Sequence, residues 1–114
     1  MFENKLGGLL YATAIGIYRD IMPIMPEQDN WLHRDQCVKA LGSMVANIAE
    51  GSGKHKPDGK YYQNALQHSR GSAFEVIAWL QMGVIDGVFT EPDIINFGNQ
   101  ILVLGDSLYQ EIMH

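Results

Sequence analysis

The sequence predicts an all-α protein, an antiparallel up-down-up-down four-helix bundle formed by residues 1–114 as a single domain. Three observations carry this expectation. Apolar residues recur three or four apart in four successive segments, Pro- and Gly-rich breaks separate those segments, and no stretch keeps the period of two that a half-buried strand needs.

The first helix is marked by Leu6, Leu10, Ala14, Ile17 and Ile21, and it ends at Pro23, which cannot continue a helix. Pro23 and Pro26 then set a turn from Met22 to Asn30. The second helix has the stripe Val38, Leu41, Val45 and Ile48, with Asp29 or Asn30 as its N-cap and Gly51 and Gly53 as its stop. The polar run Ser52-Gly53-Lys54-His55-Lys56-Pro57-Asp58-Gly59 reads as a loop. From Lys60 the stripe Tyr62, Leu66, Ser69, Ala73, Val76, Leu80 and Val84 alternates steps of four and three, the rhythm of antiparallel bundle packing. This third helix should be the longest, at roughly 25 residues or ~37 Å. Asp86-Gly87 ends it. Thr90 caps the fourth helix with Asp93 at the capping-box position, and Ile94, Phe97, Ile101, Leu104, Leu108 and Ile112 form its stripe.

Composition agrees with such a bundle and adds an expectation about assembly. Of 114 residues 46% are apolar, which excludes intrinsic disorder, and only 18% are charged, below the globular average of about 25%. That shortage of charge predicts that some surface faces another subunit. The net charge is −5, so the chain as a whole is no electrostatic clamp for nucleic acid. The distribution is uneven. Residues 31–70 hold six of the eight Lys and Arg, whereas residues 71–114 hold none and carry six Asp and Glu.

Lone Cys37 excludes an intrachain disulfide and reads as a buried, inert thiol in a reducing, cytoplasmic setting. The stretch Leu6–Tyr18 imitates a signal-peptide core, but Met1–Lys5 has no clear positive excess and no small-residue cleavage site follows. No apolar run reaches the ~20 residues needed to cross a bilayer.

The residues give little support to catalysis. Glu111 and His114 form one Glu-x-x-His pair, whereas a di-metal bundle needs two, so no metal or other cofactor is expected. Gly51-Ser52-Gly53-Lys54 lacks the earlier Gly, the following Ser or Thr and the strand of a phosphate loop. Two small-and-polar groups are more informative: Asn47 and Glu50 beside Ala46 and Ala49 in helix 2, and Ser69, Arg70, Gly71, Ser72 and Glu75 in helix 3. Asn47, Glu50, Arg70, Ser72 and Glu75 are expected to cap, pair and register helices 2 and 3. Gly71 costs ~1 kcal/mol relative to Ala in mid-helix, which predicts a close packing contact there.

The same residues carry a resemblance. Lys39-Ala40-Leu41-Gly42-Ser43-Met44-Val45-Ala46-Asn47-Ile48-Ala49-Glu50-Gly51 resembles the Arg-Ala-Ala-x-Ser-Ile-x-x-Asn-Ile-Ala-Glu-Gly signature of the bacterial four helix bundle protein family, and Tyr62, Leu66, Gly71, Ser72 and Glu75 match its second signature. That family includes proteins encoded by intervening sequences in 23S ribosomal RNA genes and the accessory variability determinant of diversity-generating retroelements. The resemblance implies a non-enzymatic accessory or scaffold that assembles with itself, as a pentamer, and binds a reverse transcriptase and RNA through basic surfaces. Here those surfaces would comprise Arg34, Lys39, Lys54, Lys56, Lys60 and Arg70, while Asn47, Glu50, Gly51, Gly71, Ser72 and Glu75 would be packing residues. Lys39 replaces the family's usual Arg, and the −5 net charge departs from a strongly basic nucleic-acid binder. A protein-interaction scaffold without a nucleic-acid role is the alternative.

Overall fold

Four helices account for most of the chain in a computed structural model that describes residues 6–54 and 59–113. They are α1 (Gly8–Ile21), α2 (Arg34–Lys54), α3 (Lys60–Ile85) and α4 (Glu91–Met113). Each packs antiparallel on its neighbour in the chain, and α4 closes the bundle against α1. The extents, 43 × 23 × 22 Å, are set by α3, whose 26 residues rise ~39 Å. This is the all-α four-helix bundle that the periodicity predicts. No described helix is both long and apolar enough to cross a membrane.

The ends of α3 and α4 follow from local chemistry. Gly87, at φ +79°, takes the left-handed conformation that terminates α3, and the Gly87 and Val88 amides donate to the Val84 and Gly83 carbonyls. In the next turn Asp93 N–H donates to Thr90 Oγ1 at 3.2 Å while Thr90 N–H donates to Asp93 Oδ2 at 3.4 Å, a reciprocal box that opens α4 as expected. Pro23 acts at its own level: it sits in the first positions of a 3₁₀ turn, Met22–Ile24, that extends the end of α1.

Helix 2 departs from expectation at both ends. It starts at Arg34, so neither Asp29 nor Asn30 is its N-cap. Trp31 is the reason. Its ring is buried against Phe89 at 5.3 Å and its Nε1–H donates to Asp86 Oδ2 at 2.9 Å, which anchors residues 29–33 as turns over the end of α3. Nor do Gly51 and Gly53 stop the helix, which runs on through Ser52 and Gly53 to Lys54, so the expected loop is shorter. His55 to Asp58 lie outside the described residues.

The core stripe of α2 is also displaced. Cys37, Leu41, Met44 and Ile48 are fully buried in steps of four, three and four, whereas Val38 and Val45 are half-buried at its flank. They meet Ala14, Ile17 and Ile21 of α1, Leu66, Ala73, Val76 and Leu80 of α3, and Ile101, Leu104 and Leu108 of α4. Burial pushes the Cys37 thiol up to about 12, with the charge of Glu75 adding to the effect. The thiol is protonated and shielded, as the lone cysteine suggested.

Candidate interaction surfaces

Helix α3 presents two different outer grooves, one to each neighbour. Toward α2 the groove is polar and bridged by hydroxyls, with an amide that bonds back within α2. Ser69 Oγ–H donates to the Met44 carbonyl at 2.6 Å, Ser72 Oγ–H donates to Ser43 Oγ at 2.8 Å, and Asn47 Nδ2 donates to the carbonyl and hydroxyl of Ser43 at 2.8 and 3.0 Å. At the end of the seam Tyr61 O–H donates to Glu50 Oε1 at 2.9 Å.

Gly51 explains why the helices come so close there. A Cβ at that position would stand 2.9 Å from Ala65 Cβ and 3.4 Å from the Tyr62 ring. Gly51 is thus a point of close approach inside α2. Ser69, a polar residue at a core position of the repeat, and Ser43 carry the bonds of this seam. Glu75 and Lys39 face a polar cleft of about 250 Å³ beside the Ser43–Ser72 pair.

Toward α4 the groove is apolar, and Arg70 belongs to it. Its Nε–H donates to the Gly105 carbonyl at 3.2 Å, and its guanidinium carbon lies 4.8 Å from the Phe74 ring centre and 5.2 Å from that of Tyr109. Arg70 therefore ties α3 to α4 and does not register α2 with α3. No described carboxylate lies within 4 Å of it. Gly71 is a second correction: no described atom lies within 4 Å of a Cβ built there, so no contact among the described residues requires glycine.

The expected ring of cations is divided by the same geometry. Arg34 opens α2 and Lys54 closes it, so the two lie ~30 Å apart by the helical rise. The Arg34 guanidinium is engaged by the Pro26 carbonyl at 3.2 Å and by Asp35 at 3.2 Å. Lys39 is exposed in the second turn of α2, and Lys60 is exposed at the start of α3. The Lys54 side chain and Lys56 lie outside the described residues, as does His114 of the Glu-x-x-His pair. No group of three described His, Cys, Asp or Glu residues is placed to hold a metal.

The two ends of the bundle differ in charge. Where α1 and α3 end and α2 and α4 begin, Asp20, Glu27, Asp29, Asp35, Asp86, Glu91 and Asp93 face only Arg19 and Arg34. At the other end Lys54 and Lys60 flank the α2–α3 connection, and two described carboxylates there are held by tyrosines: Glu50 by Tyr61 and Glu111 by Tyr62 at 3.3 Å. Burial, then the charge and hydrogen bond of Glu111, raises the Tyr62 phenol above its ordinary value.

Comparison with protein-family models gives a match over residues 10–110 to the family described as 23S rRNA-intervening sequence protein. Comparison with curated proteins and with solved structures gives no match.

Proposed function

The chain belongs to the 23S rRNA-intervening sequence protein family, and from that premise we propose that it is a non-enzymatic, self-assembling accessory protein that docks a structured RNA, together with the reverse transcriptase acting on it, through the cationic segment between α2 and α3. The observation that supports this reading is the segregation of charge. Lys54, Lys56 and Lys60 fall within seven residues of sequence, between the last residue of α2 and the first of α3, while the opposite end of the bundle is acidic. Repetition of that segment around an assembly multiplies its field, although each copy carries −5 overall. Arg34 and Arg70 are engaged elsewhere, so they leave the docking set; Lys39 lies apart on α2.

The test is fluorescence anisotropy of a labelled structured RNA at 50 and 200 mM salt. Three phosphate contacts per site predict a loss of about 20- to 40-fold in affinity across that range. Lys54→Glu, Lys56→Glu and Lys60→Glu together should abolish binding while leaving the mass of the assembly unchanged. RNA ignored at both salts would overturn the nucleic-acid reading. It would favour the second reading, a protein-only scaffold, which rests on the acidic end of the bundle as a surface for a basic partner.

A further inference from the structure

Two adjacent residues of α3 are left without a reason among the described residues. Gly71 weakens the middle of a helix, yet a Cβ built there would meet no described atom. Arg70 is held without being fully used. Its Nε–H donates to the Gly105 carbonyl and its guanidinium lies against the Phe74 and Tyr109 rings, while its Nη groups find no acceptor among the described residues. Three contacts thus orient in advance an edge of N–H donors that has no partner, and an oxyanion is what that edge fits.

Both residues line one cavity of about 340 Å³ between α3 and the last turns of α4. Gln67 and Tyr109 add an amide and a hydroxyl, and Phe74, Ile112 and Met113 make the rest of the wall apolar. A mainly apolar hollow of this size with a few convergent polar groups is the usual form of a small-molecule site. Other cavities of the surface lack the combination. The one at Ile85, Glu91 and Ile95 has no cation, the one at Thr13 and Gly16 holds Arg19 already paired with Asp20, and the one at Lys39 sets the Glu75 carboxylate in the same cleft.

The surrounding charge narrows the ligand further. Residues 71–114 carry six carboxylates and no Lys or Arg, with Asp106 and Glu111 on α4 itself. One guanidinium offsets one negative charge, and a second charge on the ligand would meet only repulsion. The field therefore favours a monoanion over a phosphate dianion or a nucleic-acid backbone.

We infer that this cavity binds a small organic acid, one carboxylate on an apolar chain or ring, with the carboxylate on the Arg70 Nη groups and the apolar part in the space that Gly71 leaves beside Phe74, Ile112 and Met113. The inference stands apart from self-assembly and from RNA docking at the α2–α3 connection.

Nuclear magnetic resonance of the full chain tests it, with phenylbutyrate as the probe. The acid should move the Gly71 amide and the Arg70 Nε–H signals with a dissociation constant on the order of 1 mM or below, the range open to a ligand of that size. Phenylbutanol, the neutral counterpart, and phenyl phosphate, a dianion, should each bind at least tenfold more weakly. Arg70→Gln should weaken the acid at least tenfold, and Gly71→Leu, at an exposed position outside the core, should fill the cavity and abolish binding; helical circular dichroism confirms that both variants are folded.

Equal affinity for phenylbutanol would overturn the role of Arg70, and phenyl phosphate bound as tightly as the acid would overturn the choice of a monoanion. Shifts that persist in both variants, or none at Gly71 up to about 10 mM acid, would overturn the site itself. An acetylated tripeptide ending in leucine offers the same chemistry as a chain end. Tighter binding of that peptide than of phenylbutyrate would overturn the small-molecule assignment.

Discussion

The hydroxyl of Ser69 donates a hydrogen bond to the main-chain carbonyl of Met44 across 2.6 Å, joining the middle of α3 to the middle of α2. Ser69 is fully buried, at a core position between Leu66 and Ala73 where the repeat would otherwise place an apolar side chain. The bond fixes the register of the two helices near their midpoints. Ser69→Ala should cost about 1 kcal/mol in urea unfolding, the usual net value of an intramolecular hydrogen bond. Ser69→Val should cost more, because the added methyl has no space between the helices. An alanine variant as stable as the parent would show that packing alone holds the register.

Gly51 and Gly71 should respond to alanine in opposite directions. At Gly51 the new methyl meets Ala65 at 2.9 Å, and forcing apart two packed backbones outweighs the gain in helix propensity of ~1 kcal/mol, for a net loss of about 1 kcal/mol. Adding Ala65→Gly should recover part of it. At Gly71 there is open space, so alanine should stabilise the monomer by about 0.5–1 kcal/mol. Thermal melts of the two variants measure both; about 1 kcal/mol corresponds to roughly 4 °C for a chain of this size.

The bond from Trp31 Nε1–H to Asp86, 2.9 Å long, ties the α1–α2 connection to the end of α3. Asp86→Ala should therefore cost about 1 kcal/mol and shift the Trp31 emission to the red as the turn loosens. Asp86→Asn should retain most of the stability, because the amide oxygen still accepts. A double-mutant cycle with Trp31→Phe should give a coupling near 1 kcal/mol, and zero coupling would mean that the Phe89 contact does the anchoring alone.

The alkaline limb of stability should follow Cys37. In the unfolded chain the thiol ionises near 9, whereas burial and Glu75 hold the folded thiol up to about 12. The folded state therefore keeps a proton that the unfolded state releases. Its contribution is complete below pH 9 and is lost between 9 and 12, with a slope of up to about 1.4 kcal/mol per pH unit. Tyr62, also raised, adds to the loss above 10. Urea unfolding from pH 8 to 11 should show this decline, and Cys37→Ala should flatten its first part. An unchanged slope in that variant would place the alkaline sensitivity elsewhere.

Periodicity and capping chemistry are legible because they act within one helix. The steps of four and three in α3, the Thr90–Asp93 box and the Asp86-Gly87 stop need nothing beyond their own neighbours, and each was readable from the residues alone. Gly51 was misread because a glycine at a helix end and a glycine at a helix crossing look alike in sequence; only Ala65, fourteen positions away, distinguishes them. Val38 and Cys37 are adjacent on the apolar side, so spacing cannot decide which is central. Arg70 was assigned to the wrong neighbour for a similar reason. Its partners, Phe74, Gly105 and Tyr109, include two on α4, and a sequence does not say which of two grooves a half-buried side chain enters. Of the signature residues, Glu50, Gly51 and Ser72 meet α3 or α2 across the seam, whereas Asn47 bonds back to Ser43 within α2 and Gly71 faces open space.

The capture of Arg70 between two rings also makes the chain its own unfolding clock. No Lys or Arg follows it, so trypsin can release Gly71–His114 only as one uninterrupted fragment, and only by cutting at Arg70 itself. That bond lies in the middle of α3, beneath a side chain that must first leave Phe74, Tyr109 and the Gly105 carbonyl. Lys60, exposed at the start of α3, is reached without any such event. The rate at which the long acidic fragment accumulates thus counts openings of the α3–α4 pair, whereas earlier nicks report only on the chain's reversal.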